Sequence, residues 1–190
     1  GAGGTAAFNV YSSTEITGYT NWNKERAHDD EIYLTNAATS GWATPSGASF
    51  PHTLSYEFTS PQIITKYRIW PRYASADTTQ NLKKWELRAA IDKTTYDTYG
   101  TYTILDSQTL LGDDGATGAL IGWPTIPLFT STTTKASIFP NLANEYNLST
   151  IGAYKYYLLY IDDNYGHTNH TALGEWALYG GGFTIPSQIG

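Results

Sequence analysis

Apolar and polar positions alternate at period two through most of this chain, the signature of strands with one face buried. In LSYEFT, residues 54–59, Leu54, Tyr56 and Phe58 face one way and Ser55, Glu57 and Thr59 the other. IITKYRIW at 63–70 repeats the pattern with Ile63, Tyr67 and Ile69 inward, and Pro61 and Pro71 bracket it. KKWELRAAI at 83–91 sets Trp85, Leu87, Ala89 and Ile91 against Lys84, Glu86, Arg88 and Ala90. YKYYLLYI at 154–161 is apolar on both faces, which predicts a central strand covered on both sides, and GEWALYG at 174–180 predicts a short closing strand. Helical spacing is confined to NKERAHDD at 23–30, enough for one turn. The Gly-, Thr- and Pro-rich stretch from Leu110 to Pro140 predicts long loops, with one strand near Lys135 to Phe139. Strands at this spacing, separated by turn signals such as GDDG and TSPQ, predict an all-β antiparallel sandwich.

Composition narrows what such a sandwich does. The 190 residues suffice for one domain with a real core, and with no cysteine the chain has neither disulfides nor thiolate metal ligands. Lys and Arg number 11 against 17 Asp and Glu, a net charge of -6 with no basic stripe, which argues against nucleic acid and against anionic membrane surfaces. No apolar run approaches the ~20 residues of a membrane-inserted helix. The chain has no methionine at all, so it is expected to be a processed product or a portion of something longer. Aromatic residues make up 15%, as many as the charged ones, with 16 Tyr and 6 Trp. That balance suits a protein that binds through ring faces and hydroxyls, on the outside of a cell or particle.

Several blocks, taken in order, resemble a known family. RAHDDEIYLTNAATSGWATPSG at 26–47 is similar to an Ala-x-Asp-Gly segment followed by tryptophan. HTLSYEFTSPQIITKYRIWPR, KKWELRAAID and YKYYLLYIDDNYGHTNHTALGEWALYG resemble the strands that follow it in discoidin-like domains, also called coagulation factor V/VIII type C domains. The resemblance covers residues 20–181, leaving 1–19 as a flexible N-terminal segment or linker and 182–190 as a tail. It implies a galactose-binding-like jelly-roll sandwich acting as a non-catalytic recognition module, most often for glycans. The glycine-rich start and end suggest one segment of a longer surface protein, extracellular, at a cell surface or on a virion, such as a phage tail fibre or a secreted multidomain glycan-binding protein, within a multidomain or homo-oligomeric assembly. The resemblance also implies one structural Ca2+ held by loop carbonyls, an aspartate and a glutamate, which fall here on Asp29 and Glu175. A calcium site of hard oxygen ligands is consistent with those residue types. This chain departs from the pattern, since Asp29 is followed by Asp30 and Glu31 rather than glycine and lies far from Trp42; Asp30 is the alternative ligand.

The remaining chemistry is weighed residue by residue. Asp162 and Asp163 are adjacent at a strand end and point to opposite faces, so they do not flank one glycosidic bond; they are expected to turn the chain. His167 and His170 have HxxH spacing but sit in a Gly, Asn and Thr loop with no evident third zinc ligand. No G-x-S-x-G elbow and no phosphate-binding glycine loop is present. Sugar recognition needs a planar ring and a few fixed polar groups, and WPRY and DNYGH place such residues just past strand ends. The candidate ligand-binding residues are therefore Arg72, Asn164, Tyr165 and His167, with Tyr73 and His52 behind them. Trp42, Trp85 and Trp176 are expected in the core, while Trp22 and Trp123 are unassigned. The alternative function is a structural module of a filament or capsid, whose aromatic surface meets neighbouring copies.

Overall fold

Leu54, Tyr56 and Phe58 do point inward together, and the strand that carries them is the longest in the protein. The computed structural model describes residues 8–18, 22–28, 31–32, 41–72, 78–93, 102–112, 122–123, 133–134 and 143–180. Its strands are β1 (Phe8–Ser12), β2 (Glu31–Ile32), β3 (Trp42–Ala43), β4 (His52–Pro71), β5 (Leu82–Ala90), β6 (Thr103–Thr109), β7 (Thr133–Thr134), β8 (Asn144–Asn147), β9 (Ala153–Asn164) and β10 (Ala172–Gly180). Two short 3-10 turns lie at Lys24–Ala27 and Thr78–Gln80. All strand pairs are antiparallel.

One sheet has the order β1-β4-β9-β5-β6 and the second β3-β10-β4-β8, with β4 belonging to both. Residues 52–57 of β4 pair with β9; the register then breaks, Glu57 opposing Tyr156 while Gln62 opposes Tyr154. From Ile64 to Pro71 the same strand pairs with β10. The bulged residues 58–61 turn the chain from one sheet into the other, and Pro61 sits in that bulge, where no ladder donor is required. β2 and β7 form a separate two-stranded ribbon.

The two inner faces close over an aromatic core. Trp42, Trp85, Trp176, Tyr56, Tyr67, Tyr157 and Phe58 are fully buried, with Leu54, Ile69, Leu87, Leu159 and Leu178 between them. Burial of rings this size dominates the stability of the domain, each truncation to alanine costing ~3–5 kcal/mol. The three tryptophans expected in the core are there, and β9 is the covered central strand between β4 and β5.

Several details differ from the sequence pattern. Residues 8–12, inside the stretch expected to be flexible, form β1, because Phe8 and Val10 alternate with Asn9 and Tyr11 and pack on the core. The inward residue ahead of Tyr67 is Ile64, not Ile63, which is 54% exposed; a second bulge at Thr65, between the Ile64–Gly180 and Lys66–Tyr179 pairs, shifts the parity by one. Ile91 lies past the end of β5 and is 66% exposed. Asp162 and Asp163 do not turn the chain, since β9 continues to Asn164. Asp162 meets Lys84 at 2.9 Å and the Asp163 carboxylate accepts the Asn164 N–H at 2.9 Å. The strand expected near Lys135 to Phe139 lies outside the described residues.

A histidine is embedded in the core as well. His28 follows the first 3-10 turn and is buried against Tyr56 and Trp176, with ring centroids 4.4 and 5.7 Å away. The Tyr56 hydroxyl donates to the Trp176 carbonyl at 2.7 Å, so the proton between His28 Nδ1 and Tyr56 Oη, 2.7 Å apart, sits on Nδ1. Burial pushes the imidazole pKa down to about 3 from an ordinary 6.5. The folded state therefore binds this proton later than the unfolded chain. Stability is intact above about 6.5 and is lost as pH falls toward about 3. In urea titrations between these limits, His28→Phe should flatten the dependence of unfolding free energy on pH by up to ~1.4 kcal/mol per pH unit. Identical slopes for the two proteins would remove His28 as the cause.

Candidate functional site

The reversal of β4 brings both of its ends to the same end of the sandwich, where β9 stops and β10 starts. The loops gathered there carry a connected set of planar polar side chains. Arg72 is the first residue past β4. Its N–H donates to Asn81 Oδ1 at 2.6 Å, and Asn81 Nδ2 donates to the Arg72 carbonyl at 3.3 Å and to the Thr78 carbonyl at 3.1 Å. The buried Asn81 side chain thus ties the strand end to the Thr78–Gln80 turn. The Arg72 guanidinium lies 4.7 Å from the centroid of the Trp22 ring, a cation–π contact worth ~0.5–2 kcal/mol, and Nη1 donates to Gln80 Oε1.

Trp22 is held in place by a parallel backbone bridge to Gly41. Gly41 has φ 152°, and a Cβ there would lie 2.3 Å from the Leu173 carbonyl oxygen, so only glycine lets this segment lie so close to β10.

On the other side of Gln80 is the β9–β10 loop. Asn164 is buried, and its Nδ2 lies within hydrogen-bond distance of the His167 and His170 carbonyls, both at 3.1 Å, and of Thr171 Oγ1 at 2.9 Å. Its Oδ1 accepts the Gly166 N–H at 2.9 Å, and Gly166 makes the turn at φ 87°. The loop so folded presents two imidazoles, stacked with centroids 5.8 Å apart at 30°. His167 Nδ1 accepts the N–H groups of Asn169 and His170 at 3.2 and 2.9 Å, which places the proton of the neutral ring on Nε2. That nitrogen lies 3.3 Å from Gln80 Nε2, itself a donor, so the two groups touch without a hydrogen bond between them. His170 Nδ1 lies 2.8 Å from the Thr44 carbonyl oxygen.

Trp22, Arg72, Gln80, His167 and His170 therefore form a continuous line across the loop end, all half-buried except Gln80, which is buried. Neither nitrogen of His167 offers a lone pair to a zinc ion shared with His170, because one accepts two backbone N–H groups and the other carries hydrogen. The line contains no carboxylate, and Asp162 and Asp163 are engaged with Lys84 and the backbone. Its equipment is that of a recognition surface: an indole, a cation and fixed polar groups.

The residues singled out from sequence fall in three places. Arg72 and His167 belong to the line. Asn164 and Tyr165 lie beneath it: Asn164 spends its amide within the loop, and Tyr165 is buried, donating to the Leu111 carbonyl at 3.2 Å with its pKa pushed up to about 12 by burial. His52 is inside the sandwich, 3.1 Å from Thr14 Oγ1 and packed on Phe50 and Trp42, and burial lowers its pKa. Tyr73, Asp29 and Asp30 lie outside the described residues. Glu175 is on β10, paired in register with Trp70 and 0% exposed. Trp123 is a loop anchor, stacked on Trp85 at 5.8 Å with its N–H on the Leu82 carbonyl at 3.1 Å. Trp22 and Gln80 were not legible as site residues, since only the three-dimensional meeting of the β1–β2, β4–β5 and β9–β10 connections joins them to His167 and His170.

No family model and no curated protein sequence matches the chain. Solved structures do match in fold. The CpGH89CBM32-5 module of Clostridium perfringens, solved with GalNAc-β-1,3-galactose, superposes with a TM-score of 0.59 at 13% identity, covering 90% of this chain and 94% of that one. Chitosan-binding module 1 of a Paenibacillus sp. IK-5 chitosanase/glucanase gives 0.53 at 15% identity, over 93% and 97% of the two chains. A pectin-binding carbohydrate-binding module gives 0.53 at 17%, over 92% and 91%. At such identities the likeness is one of architecture: this chain has the discoidin-like, galactose-binding-like β-sandwich fold.

Proposed function

We propose that the loop end is a non-catalytic carbohydrate-binding surface in which Trp22 supplies an apolar ring and Arg72 and His167 supply fixed hydrogen-bond donors. The observation that carries this reading is the Trp22–Arg72–Gln80–His167 line itself. A guanidinium laid on an indole and hydrogen-bonded to the buried Gln80 amide, beside an imidazole held by two backbone N–H groups, is already ordered, so a weakly held sugar loses little affinity to freezing side chains. The matched modules, whose names specify a galactose-containing disaccharide, chitosan and pectin, support the same class of ligand. Affinity at one such site is modest and gains through several copies on a common surface, which fits adhesion at a cell or particle exterior.

A bound Ca2+ is part of this proposal. Glu175 is a carboxylate with 0% exposure, a costly burial that a hard cation offsets, and the acidic residues that neighbour each other in sequence, Asp29 or Asp30, would supply a further oxygen ligand. Such an ion would contribute charge neutralisation and cross-linking between residues 29–30 and β10.

Two outcomes check these statements. On a glycan array followed by calorimetry, Arg72→Ala and Trp22→Ala should each weaken the best hit by ~10-fold or more, about 1.4 kcal/mol, with melting temperatures close to wild type. Unchanged affinity in both variants would contradict the site. Chelation by EDTA should lower the melting temperature of the wild type and leave Glu175→Gln unmoved; a wild-type melt indifferent to EDTA would remove the calcium.

A further inference from the structure

The two sheets do not close over apolar side chains on every flank. On one side their edges are β6 and β8, each paired among the described residues with one neighbour, β5 and β4. Residues opposed in an antiparallel ladder share a face. Asp106 and Gln108 oppose the buried Leu87 and Trp85, while Tyr146 and Asn144 oppose the buried Tyr67 and Ile69. All four therefore point into the gap between the sheets, and all four are polar and half-buried. Tyr67 and Trp85 lie between them: the Trp85 N–H donates to the Tyr67 hydroxyl at 3.0 Å, which donates to Asp106 Oδ2 at 2.6 Å. The Tyr146 ring stacks on Tyr67 at 5.0 Å and meets Trp85 edge-on at 5.6 Å. Asn144 Nδ2 donates to the Gly122 carbonyl at 2.8 Å and Trp123 stacks on Trp85, so these two residues bound the slot on one side.

What the β6 wall of this slot leaves unpaired is acceptor. Asp106 Oδ2 takes two donors, the Tyr67 hydroxyl and Gln108 Nε2 at 3.0 Å. A carboxylate only accepts, so the Gln108 amide turns its nitrogen toward Asp106 and its oxygen away. Among the described residues Asp106 Oδ1 and Gln108 Oε1 have no partner, and no Lys or Arg pairs with Asp106. Burial, reinforced by the Asp106 charge, pushes the Tyr146 phenol up to about 12, so the phenol stays neutral beside the carboxylate. We propose that this flank slot binds a primary ammonium group, carried on an amino sugar or on a lysine side chain, with Asp106 as counter-ion, Gln108 Oε1 as second acceptor and the Tyr146 ring as cation–π face. An ammonium has three donors and no acceptor, the complement of this pair of oxygens, and a carboxylate withdrawn from water gains most from a fixed opposite charge. A hydroxyl reaches the same oxygens but leaves the charge uncompensated. The net charge of -6 further favours the approach of a cation. The slot is built on strand residues rather than on the loops of the Trp22–Arg72 line, and it does not depend on the reading of that line.

The test titrates the full chain with a glucosamine trisaccharide and, in a second arm, with Nα-acetyl-lysine amide, at a pH where the amine is protonated. NMR reads the Trp85 indole N–H, linked to Asp106 through the Tyr67 hydroxyl, and the backbone amides of residues 104–108 and 144–147. At least one ligand should shift these signals; a response to the trisaccharide assigns the slot to amino sugars, and a response to the lysine compound assigns it to a protein partner. Acetylating the amine should weaken binding ~10-fold or more, the loss of a charge-assisted hydrogen bond, and added salt should weaken it as well. Asp106→Asn, whose side-chain oxygen still accepts from Tyr67, should lose as much as the acetylated ligand does. Silence of Trp85 toward both ligands, equal binding of the acetylated forms, or wild-type affinity in Asp106→Asn would overturn the proposal. Shifts confined to Trp22, Arg72 and the β9–β10 loop would place the ammonium at the loop end and overturn it too. Should Asp106→Asn fail to fold, the acetylation comparison on the wild type decides alone.

Discussion

The passage of β4 from one sheet to the other governs the rest of the architecture. A strand that ran straight would place its ends on opposite sides of the molecule. Because residues 58–61 bulge and the strand re-enters the second sheet, His52 and Arg72 finish at the same end, beside the loop that joins β9 to β10. The apolar faces on either side of the bulge, led by Tyr56 and Phe58 before it and Tyr67 and Ile69 after it, pack against each other across the core. Hydrophobic burial thus holds the turn closed, and the turn brings distant stretches of sequence to one surface.

What shapes that surface is a pair of buried amides. Asn81 satisfies backbone groups at the end of β4, and Asn164 does so through the β9–β10 loop. Each replaces a stretch of regular hydrogen bonding where the backbone cannot form it, and a buried backbone group without such a partner costs free energy comparable to a lost hydrogen bond. Their rigidity passes outward: Asn81 positions Arg72 and Gln80, and Asn164 positions His167 and His170. The side chains proposed for recognition are thus carried on loops braced by buried amides.

The strands were legible because alternation is a local signal, and the core tryptophans followed from it. Ile63 misled because a bulge inverts parity without leaving a mark in the pattern, and residues 8–12 were overlooked because so short a run beside a glycine-rich start carries little periodicity. At the site, Arg72 and His167 could be named from their positions after strand ends. Asn164 had the right residue type in the right loop, yet its amide is used to build the loop. The reason is physical: a side chain that binds and one that braces have the same hydrogen-bonding inventory, and only burial separates them. Trp22 and Gln80 had no local signal, since their partners are distant in the chain.

The loop end combines an indole, a guanidinium and two stacked imidazoles, and the proposed function turns on whether sugar binds there rather than on a sheet face. Backbone amide NMR during titration with a galactose oligosaccharide reads this directly. With sugar at the loop end, shifts should concentrate at Trp22, Arg72, Thr78–Asn81 and Gly166–Thr171, with little change at residues 58–63 and 149–153 at the opposite end. Shifts centred on those distant residues or on the outer strands, with the Arg72 and His167 regions silent, would contradict it.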